Sequence, residues 1–331
     1  MRDLEFGVFD WVDTAAGRSI ADTYDDRIAL ARRADAGAFT RFHIAEHHGA
    51  TLGLAASPGL FAAALARETS RIRLVPTTYI VPLYDPLRLA EEIAMLDHLS
   101  HGRLELGIGK GSSPHEAAMF GFAADDMRAR YAASLPVLRE ALETGTLPAF
   151  GGRPPVELTI RPSGPLPLWY PTSNPASIRE TALNGENTIF GFAFRSPDVH
   201  VIREHRDIFF ETFSGADAPH FGVLRHVLVA DTDAAAAEIA ERAFADHYDN
   251  FTWLWRRMGV EQPPQPDLRD LVDRHLFLLG SPATVARQTA ELVDATGVTY
   301  LAGAFAWGSL PREDALRSMD LFDTEVIPAV R

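Results

Sequence analysis

Short apolar segments alternate along the chain with longer segments in which apolar residues recur every three or four positions. The short segments predict buried β-strands, and the longer ones predict amphipathic helices. The predicted strands span Leu4–Phe9, Phe42–Ala45, Ile72–Val81, Leu104–Ile108, Leu168–Tyr170, Thr188–Gly191, Val223–Val229 and Tyr300–Phe305. About eight strand–helix pairs fit an α/β fold of the closed (β/α)8 TIM-barrel type better than an open doubly wound sheet, because an eighth strand serves only closure.

The helical segments follow the strands in order, and two connections are longer than a minimal barrel requires. The segment from Gly145 to Pro167, after the fourth helix, is rich in glycine and proline and is predicted as an insertion with a hairpin around Val156 to Ile160. The seventh connection is also long and contains an aromatic and proline-rich stretch from Phe251 to Pro266. Residues 1–331 are predicted to form one barrel domain. The predicted helices span Tyr24–Ala36, Pro58–Glu68, Pro86–Leu99, Arg128–Glu143, Pro175–Asn184, Pro197–Phe213, Ala234–Tyr248, Pro282–Asp294 and Arg312–Val326.

Composition narrows the class of protein. The 331 residues are 47% hydrophobic and 23% charged, which is typical of a soluble globular protein. The net charge of −14 argues against nucleic acid and anionic membranes as partners. The chain contains no cysteine, so disulfides, thiolate metal sites and a cysteine nucleophile are excluded. No signal peptide or membrane span is visible, and a cytoplasmic protein is expected.

Polar residues follow the second predicted strand and lie in the C-terminal part of the third, where a barrel carries its chemistry. Glu46, His47 and His48 come directly after strand two, and histidine is the side chain best suited to proton transfer near neutral pH. Adjacent histidines on an extended segment point in opposite directions, so a metal site is not predicted. Thr77 and Thr78 on strand three allow a planar ligand to approach the backbone, although threonine is also an ordinary strand residue.

Two neighbouring loops have the composition of anion-binding sites. After strand four, Gly109, Lys110 and Gly111 combine a permissive backbone with a cation. After strand five, a loop with several hydroxyl and amide side chains leads into a helix, whose first N–H groups can hold a phosphate or can simply be capped. Together the loops predict a small phosphorylated ligand. The candidate residues of the second loop are Ser173, Asn174 and Ser177.

The whole pattern resembles the bacterial luciferase-like flavin-dependent monooxygenases. The resemblance covers nearly the whole chain in order and rests on several segments taken together. These segments are Ala45 to Gly49, Ile72 to Leu74, Pro82, Pro86, Leu89 to Glu92, Leu96 to Arg103, Gly107 to Gly111, Gly121, Gly280 to Pro282, Leu310 to Pro311 and Leu316 to Met319.

The resemblance implies a TIM barrel that binds FMN at its mouth and receives it as FMNH2 from a separate flavin reductase. It implies a reaction with dioxygen through a flavin hydroperoxide that oxidises a small organic substrate. His47 falls on the family's proton handler, with His48 or Glu46 expected to orient it. A non-prolyl cis peptide is expected near Thr77 and Thr78, and a homodimer is expected by resemblance only.

Two positions depart from the family pattern. Lys110 stands where luciferases hold the phosphate with arginine, and lysine lacks the planar grip of a guanidinium. Ser173 stands where luciferase has a glutamate, whereas Ser177 matches the family's phosphate-binding hydroxyl. These departures concern the details of flavin binding and leave the predicted fold unchanged.

Two other functions stay open at this stage. One is hydride transfer with a deazaflavin coenzyme, whose polyanionic tail needs more basic residues than the loops offer. The other is a non-catalytic flavin-binding homologue, against which the Glu46–His48 cluster argues. The segment Phe251 to Pro266 is a candidate lid or an ordinary packed helix and turn. Several aromatic residues lie at predicted strand ends, where they could line an apolar substrate pocket or could equally belong to the barrel core. They are Phe9, Trp11, Tyr79, Phe190, Phe192, Phe194 and Trp307.

Overall fold

The computed structural model describes residues 3–15, 17–190 and 198–331. Its strands are mostly short and buried on both sides, as expected for a parallel sheet covered by helices. In chain order they are β1 (Glu5–Asp10), β2 (Arg41–Ile44), β3 (Arg73–Pro76), β4 (Tyr79–Ile80), β5 (Leu106–Gly109), β6 (Thr146–Leu147), β7 (Val156–Glu157), β8 (Leu168–Trp169), β9 (Thr188–Phe190), β10 (Phe221–Val229), β11 (Phe277–Gly280) and β12 (Tyr300–Ala304).

Eight of these strands close a parallel ring. Strand β1 pairs with β2 and with β12, β2 pairs with β3, and β10 pairs with β9 and β12. Strand β5 pairs with β8. A bridge between Leu74 and Leu104 joins β3 to the residues just before β5. A second bridge, between Trp169 and Asn187, joins β8 to the residue just before β9. The predicted (β/α)8 barrel is therefore confirmed.

Helices surround the barrel, and several begin with proline in the first turn after a capping side chain. Asp85, for example, accepts the backbone N–H of Leu87 at 3.0 Å immediately before a helix that starts at Pro86. The helices are α1 (Ile20–Ala36), α2 (Pro58–Glu68), α3 (Pro86–Leu99), α4 (Pro114–Met119), α5 (Ala124–Thr144), α6 (Pro175–Leu183), α7 (Val199–Thr212), α8 (Asp233–Arg257), α9 (Leu268–Asp273), α10 (Pro282–Thr296), α11 (Arg312–Leu321) and α12 (Ile327–Val330). A short π-helix, Phe322–Val326, joins the last two.

The apolar core has two main layers. One lies between the strands and the helices and includes Tyr79 and Phe190. The other fills the barrel interior and includes Phe9, Trp11 and Trp307. Every one of these five aromatic residues is buried, so they are core residues. Phe192 and Phe194, also predicted for the pocket, lie outside the described residues, as do Gly191 and Pro197 at predicted element ends.

Several elements differ from their predicted form. The single third strand expected over Ile72–Val81 is two strands, β3 and β4, interrupted at Thr77 and Thr78. Strand β11 was not predicted; it pairs with the C-terminal half of β10. Within the Gly145 to Pro167 segment, the hairpin joins β6 to β7, so its first strand lies earlier than expected. None of the helices in the described part of the chain has the length and apolar character needed to cross a membrane.

The helix of the seventh connection ends later than the predicted Tyr248, because α8 extends to Arg257. Phe251, Trp253 and Trp255 consequently lie on its last turns and not in a loop. The chain beyond α8 folds back on the helix, where the Tyr248 hydroxyl donates to the carbonyl of Pro263. Whether this segment acts as a lid stays a prediction.

Candidate active site

The segment after β2 places one carboxylate and two imidazoles at the C-terminal end of the barrel. Glu46 is buried, and its Oε1 lies 2.8 Å from Nε2 of His48. Its Oε2 accepts the backbone N–H of Ile80 at 3.0 Å and the hydroxyl of Tyr84 at 2.9 Å. Burial raises the pKa of Glu46 more than these hydrogen bonds lower it. Glu46 thus connects the segment after β2 to β4 and holds the ring of His48.

His47 has a different partner from the one expected. Its Nδ1 lies 3.0 Å from Oε1 of Glu116, on α4, while Glu46 contacts His48 and not His47. The same Glu116 oxygen accepts the backbone N–H of His48 at 3.0 Å. Burial raises the pKa of Glu116, but the hydrogen bond from His47 and the nearby imidazoles lower it by more. The net pKa of Glu116 is therefore below the ordinary value. The expectation that His48 or Glu46 orients His47 is therefore wrong: Glu116 does so.

This arrangement fixes the proton on the His47 ring. The backbone N–H of His48 can only donate, so Oε1 of Glu116 is an acceptor and His47 donates to it from Nδ1. In the neutral form of the ring, the other nitrogen, Nε2, is the one that carries the lone pair. The His47 side chain is 30% exposed, compared with 5% for Glu116, so the ring is open to the mouth while its partner is enclosed.

A non-prolyl cis peptide joins Thr77 and Thr78, where the resemblance placed it. Strand β5 packs against this turn through glycine. A Cβ atom on Gly107 would lie 2.1 Å from the carbonyl oxygen of Pro76 and 2.8 Å from Cα of Thr77, and a Cβ on Gly109 would lie 2.7 Å from Oγ1 of Thr78. Only glycine permits this close approach of β5 to the turn that carries the two threonines.

A buried histidine that the sequence reasoning missed supports the same turn from inside the barrel. Nδ1 of His43, on β2, lies 2.8 Å from Oγ1 of Thr77, and Nε2 lies 2.8 Å from the hydroxyl of Tyr300. Because the Thr77 hydroxyl donates to the carbonyl of Val75, it accepts from His43. Burial, together with the charge of Arg41, holds the pKa of His43 well below its ordinary value. A polar residue at an inward-facing strand position was the available signal.

The two predicted anion loops differ in how much of their hydrogen-bonding capacity is already used. Lys110 is exposed and is the only lysine in the chain. Asn174 caps helix α6, where its Oδ1 accepts the N–H groups of Ala176 at 3.0 Å and Ser177 at 3.2 Å. Ser173 is exposed and Ser177 is partly buried. The capping alternative thus holds for Asn174, while Lys110 and Ser177 are the better placed donors to a bound anion.

No cluster of three or more histidine, aspartate or glutamate side chains with the arrangement of a metal site is found in residues 3–15, 17–190 and 198–331. The site contains groups that can handle protons and groups that can bind an anion. Glu116, Tyr84 and His43 complete it, and the first two were invisible to sequence reasoning because their partners lie 69 and 38 residues away in the chain.

Comparison with known proteins places the chain among flavin enzymes. The family model described as luciferase-like monooxygenase matches residues 4–300. A Sinorhizobium fredii protein without an assigned activity is 34% identical over 99% of this chain and 97% of its own length. The oxygenase component of a flavin-dependent trigonelline monooxygenase from Acinetobacter baylyi is 27% identical over 72% of this chain and 68% of its own.

A solved structure has the same fold. The oxygenating constituent of 3,6-diketocamphane monooxygenase from Pseudomonas putida, determined in complex with FMN, superposes with a TM-score of 0.84 and 23% identity. The superposition covers 99% of each chain.

Proposed function

Because this chain belongs to the luciferase-like monooxygenase family and is an oxidoreductase of the monooxygenase class, we propose that it uses reduced FMN and dioxygen to oxidise a small organic substrate at the barrel mouth. The observation that carries this proposal is that two features follow the C-terminal ends of the paired strands β2 and β3. One is the cis peptide of Thr77 and Thr78, against which Gly107 and Gly109 pack closely, and the other is the oriented, accessible imidazole of His47.

The residues present fit a planar, phosphorylated cofactor such as FMN. Because Gly109 has no Cβ, the end of β5 lies directly against the Thr78 side chain, which brings the loop that carries Lys110 to the cis peptide. Lys110 supplies a cation directly after β5, and Ser177 at the start of α6 supplies a hydroxyl. Thr77 and Thr78 would hold the ring, and Gly111, Lys110, Ser173 and Ser177 would surround the phosphate. When bound in its reduced form, FMN supplies the electrons that activate dioxygen.

His47 is proposed to hold or deliver a proton at Nε2. Glu116 orients the ring and stabilises the positive charge that develops when Nε2 takes up a proton, as a buried carboxylate does in a catalytic triad. Glu46 and His48 contribute indirectly: Glu46 anchors the segment to Ile80 and Tyr84, and His48 packs edge-on against Phe120 at 4.7 Å. The proton-handling group is thus His47, and Glu116 is its positioning residue.

A separate flavin reductase is proposed to supply the reduced cofactor. The glycine loop after strand four has no third glycine at the spacing of a dinucleotide fingerprint, so a nicotinamide site is not predicted here. The Acinetobacter relative carries the designation of an oxygenase component, which supports a two-protein system by analogy.

Replacement of His47 tests the proposal. His47→Ala, supplied with chemically reduced FMN, dioxygen and a panel of apolar ketones and hydrocarbons, is expected to lose about 100-fold or more of the rate of product formation, the scale of general acid–base catalysis. The matched control is His200→Ala, since His200 is exposed on α7. An unchanged product yield per reduced flavin in His47→Ala would contradict the assignment.

A further inference from the structure

A cavity of about 410 Å³ lies on the outer side of the barrel, between strand β5 and helix α5. Leu106 and Ile108 of β5 form its floor, and Leu138 and Leu142 of α5 form one wall. Leu106 is the first residue of β5, whereas the mouth follows the last residues of the strands. The cavity is therefore separate from the candidate active site.

The opposite wall is the segment 161–167, which we call the strap. The strap is fixed at two points. The buried carboxylate of Asp97 accepts the backbone N–H and the hydroxyl of Ser163 at 2.7 and 2.6 Å. The carbonyl of Pro167 accepts the backbone N–H of Leu106 at 2.8 Å. Three prolines also restrict the backbone of the strap, so it is held away from α5 and keeps the cavity open.

The deep part of the cavity is apolar, and its charged side chains lie at the rim. Leu106, Ile108 and Leu138 are each 1% exposed. The side chains of Arg139 and Arg161 are 31% and 50% exposed. A water molecule in a cavity needs roughly two to four polar partners, which leucine and isoleucine side chains do not offer. The floor therefore suits an apolar group better than water.

The two arginines at the rim already have partners of opposite charge. Arg139 pairs with the buried carboxylate of Glu186. Nη2 of Arg161 lies 3.3 Å from Oε1 of Glu157. Glu143, the other charged residue of the lining, is exposed to solvent. A charged ligand would lose hydration on entering without meeting a counter-charge at the floor, so the lining favours an uncharged ligand.

The size of the cavity limits what can occupy it. One turn of an α-helix, about 10–12 Å wide and about 5.4 Å long, takes up at least as much space as the whole cavity. Pockets for small molecules span roughly 300–1,000 Å³. We propose that the cavity between β5, α5 and the strap is a second ligand site, which binds a small uncharged apolar molecule such as a bicyclic hydrocarbon. This site lies apart from the mouth and does not depend on the proposed function.

Three probes of similar size test the site and the ligand class: uncharged 1-methylnaphthalene, 1-naphthoate and 1-naphthylmethylammonium. They are titrated into the full chain labelled with ¹³C at the leucine methyl groups and followed by NMR. The signals of Leu142 and Leu166, which both line the cavity, are identified by their loss in Leu142→Met and Leu166→Met. We expect 1-methylnaphthalene to shift both signals saturably. It should bind about 10-fold more tightly than either charged probe, because a charge loses its hydration in the cavity.

A larger side chain should block the cavity. In Leu142→Trp the indole ring takes up space that the probe needs, so the affinity for 1-methylnaphthalene, measured at Leu166, should fall about 10-fold or more. Leu183→Trp on α6 is the matched control, because Leu183 is 72% exposed and lies outside the lining. Arg161→Gln removes a charge from the rim and should leave the affinity for the uncharged probe nearly unchanged.

Unchanged Leu142 and Leu166 signals in the wild-type protein with 1-methylnaphthalene overturn the site, whether or not Leu142→Trp folds. Binding of either charged probe as tightly as the uncharged one overturns the ligand class. Titrations with and without FMN should give the same Leu142 response, and a response that depends on FMN would place the probe at the mouth and contradict the inference. These measurements need no turnover, so their failure is distinct from failure of the proposed function.

Discussion

Glu116 shows how one residue connects stability with the orientation of the site. It accepts from His47 and from the backbone of His48, and its net pKa lies below the ordinary 4.5. A carboxyl group with a lower pKa in the folded state than in the unfolded state stabilises the protein above the unfolded value. That contribution is lost as the pH falls through the folded value. Glu116 therefore contributes fully to the free energy of unfolding above pH 4.5 and loses that contribution as the pH falls through its lower folded-state pKa.

The variant Glu116→Gln isolates this contribution. We expect it to lower the free energy of unfolding by about 1–3 kcal/mol at neutral pH, and the difference from wild type should shrink as the pH falls below 4.5. Urea unfolding across the acid range measures it, with Glu140→Gln, at an exposed position on α5, as control. A difference that stays constant down to acid pH would contradict the assigned pKa direction.

Strand three illustrates what sequence could predict at the scale of elements. The run from Ile72 to Val81 has the composition of one continuous strand, and no local pattern marks the break that separates β3 from β4. The position of the cis peptide followed only from the family resemblance. The partner of His47 was not predictable, because Glu116 reaches it through the packing of α4 and not through local spacing. The contact between His247 and Asp13 likewise joins residues more than 200 positions apart in the chain.

The packing of β5 on β3 makes a prediction at the same scale. In Gly107→Ala the added methyl group meets backbone atoms of Pro76 and Thr77 that cannot rotate away. We expect a loss of about 1–3 kcal/mol in stability and weaker FMN binding. The control is Gly164→Ala, where a Cβ meets nothing within 4 Å. Denaturant unfolding and FMN titration of both variants check this, and equal behaviour would show that the close approach is unimportant.

The surface of the whole molecule bears on the expected homodimer. Leu60 on α2 is 74% exposed, and on the neighbouring helix α3 Met95 is 49% and Leu99 is 41% exposed. Exposed apolar residues on adjacent helices are typical of a protein–protein interface. We therefore keep the homodimer as a proposal and place it on these two helices.

A double charge substitution tests this interface. Leu60→Glu with Met95→Glu is expected to convert a dimer to a monomer, as measured by light scattering after size exclusion, because two carboxylates per subunit would be buried without partners. Leu183→Glu on α6 is the matched control, since Leu183 is 72% exposed on another helix. A dimer that survives the double substitution would place the interface elsewhere.

The strong negative charge of the whole chain makes the binding of an anionic cofactor the most direct test of the proposed function. A protein with a net charge of −14 is proposed to bind an anionic cofactor, and its only lysine, Lys110, stands at the predicted phosphate site. Titration of the protein with FMN and with a deazaflavin coenzyme, followed by fluorescence, measures both affinities. Lys110→Gln, Lys110→Arg and the control Arg179→Gln, at an exposed position on α6, complete the set.

We predict that FMN binds more tightly than the deazaflavin coenzyme. Lys110→Gln should weaken FMN binding at least 10-fold, about 1.4 kcal/mol, while Lys110→Arg and Arg179→Gln leave it nearly unchanged. Tighter binding of the deazaflavin coenzyme, or wild-type FMN affinity in Lys110→Gln, would contradict the account.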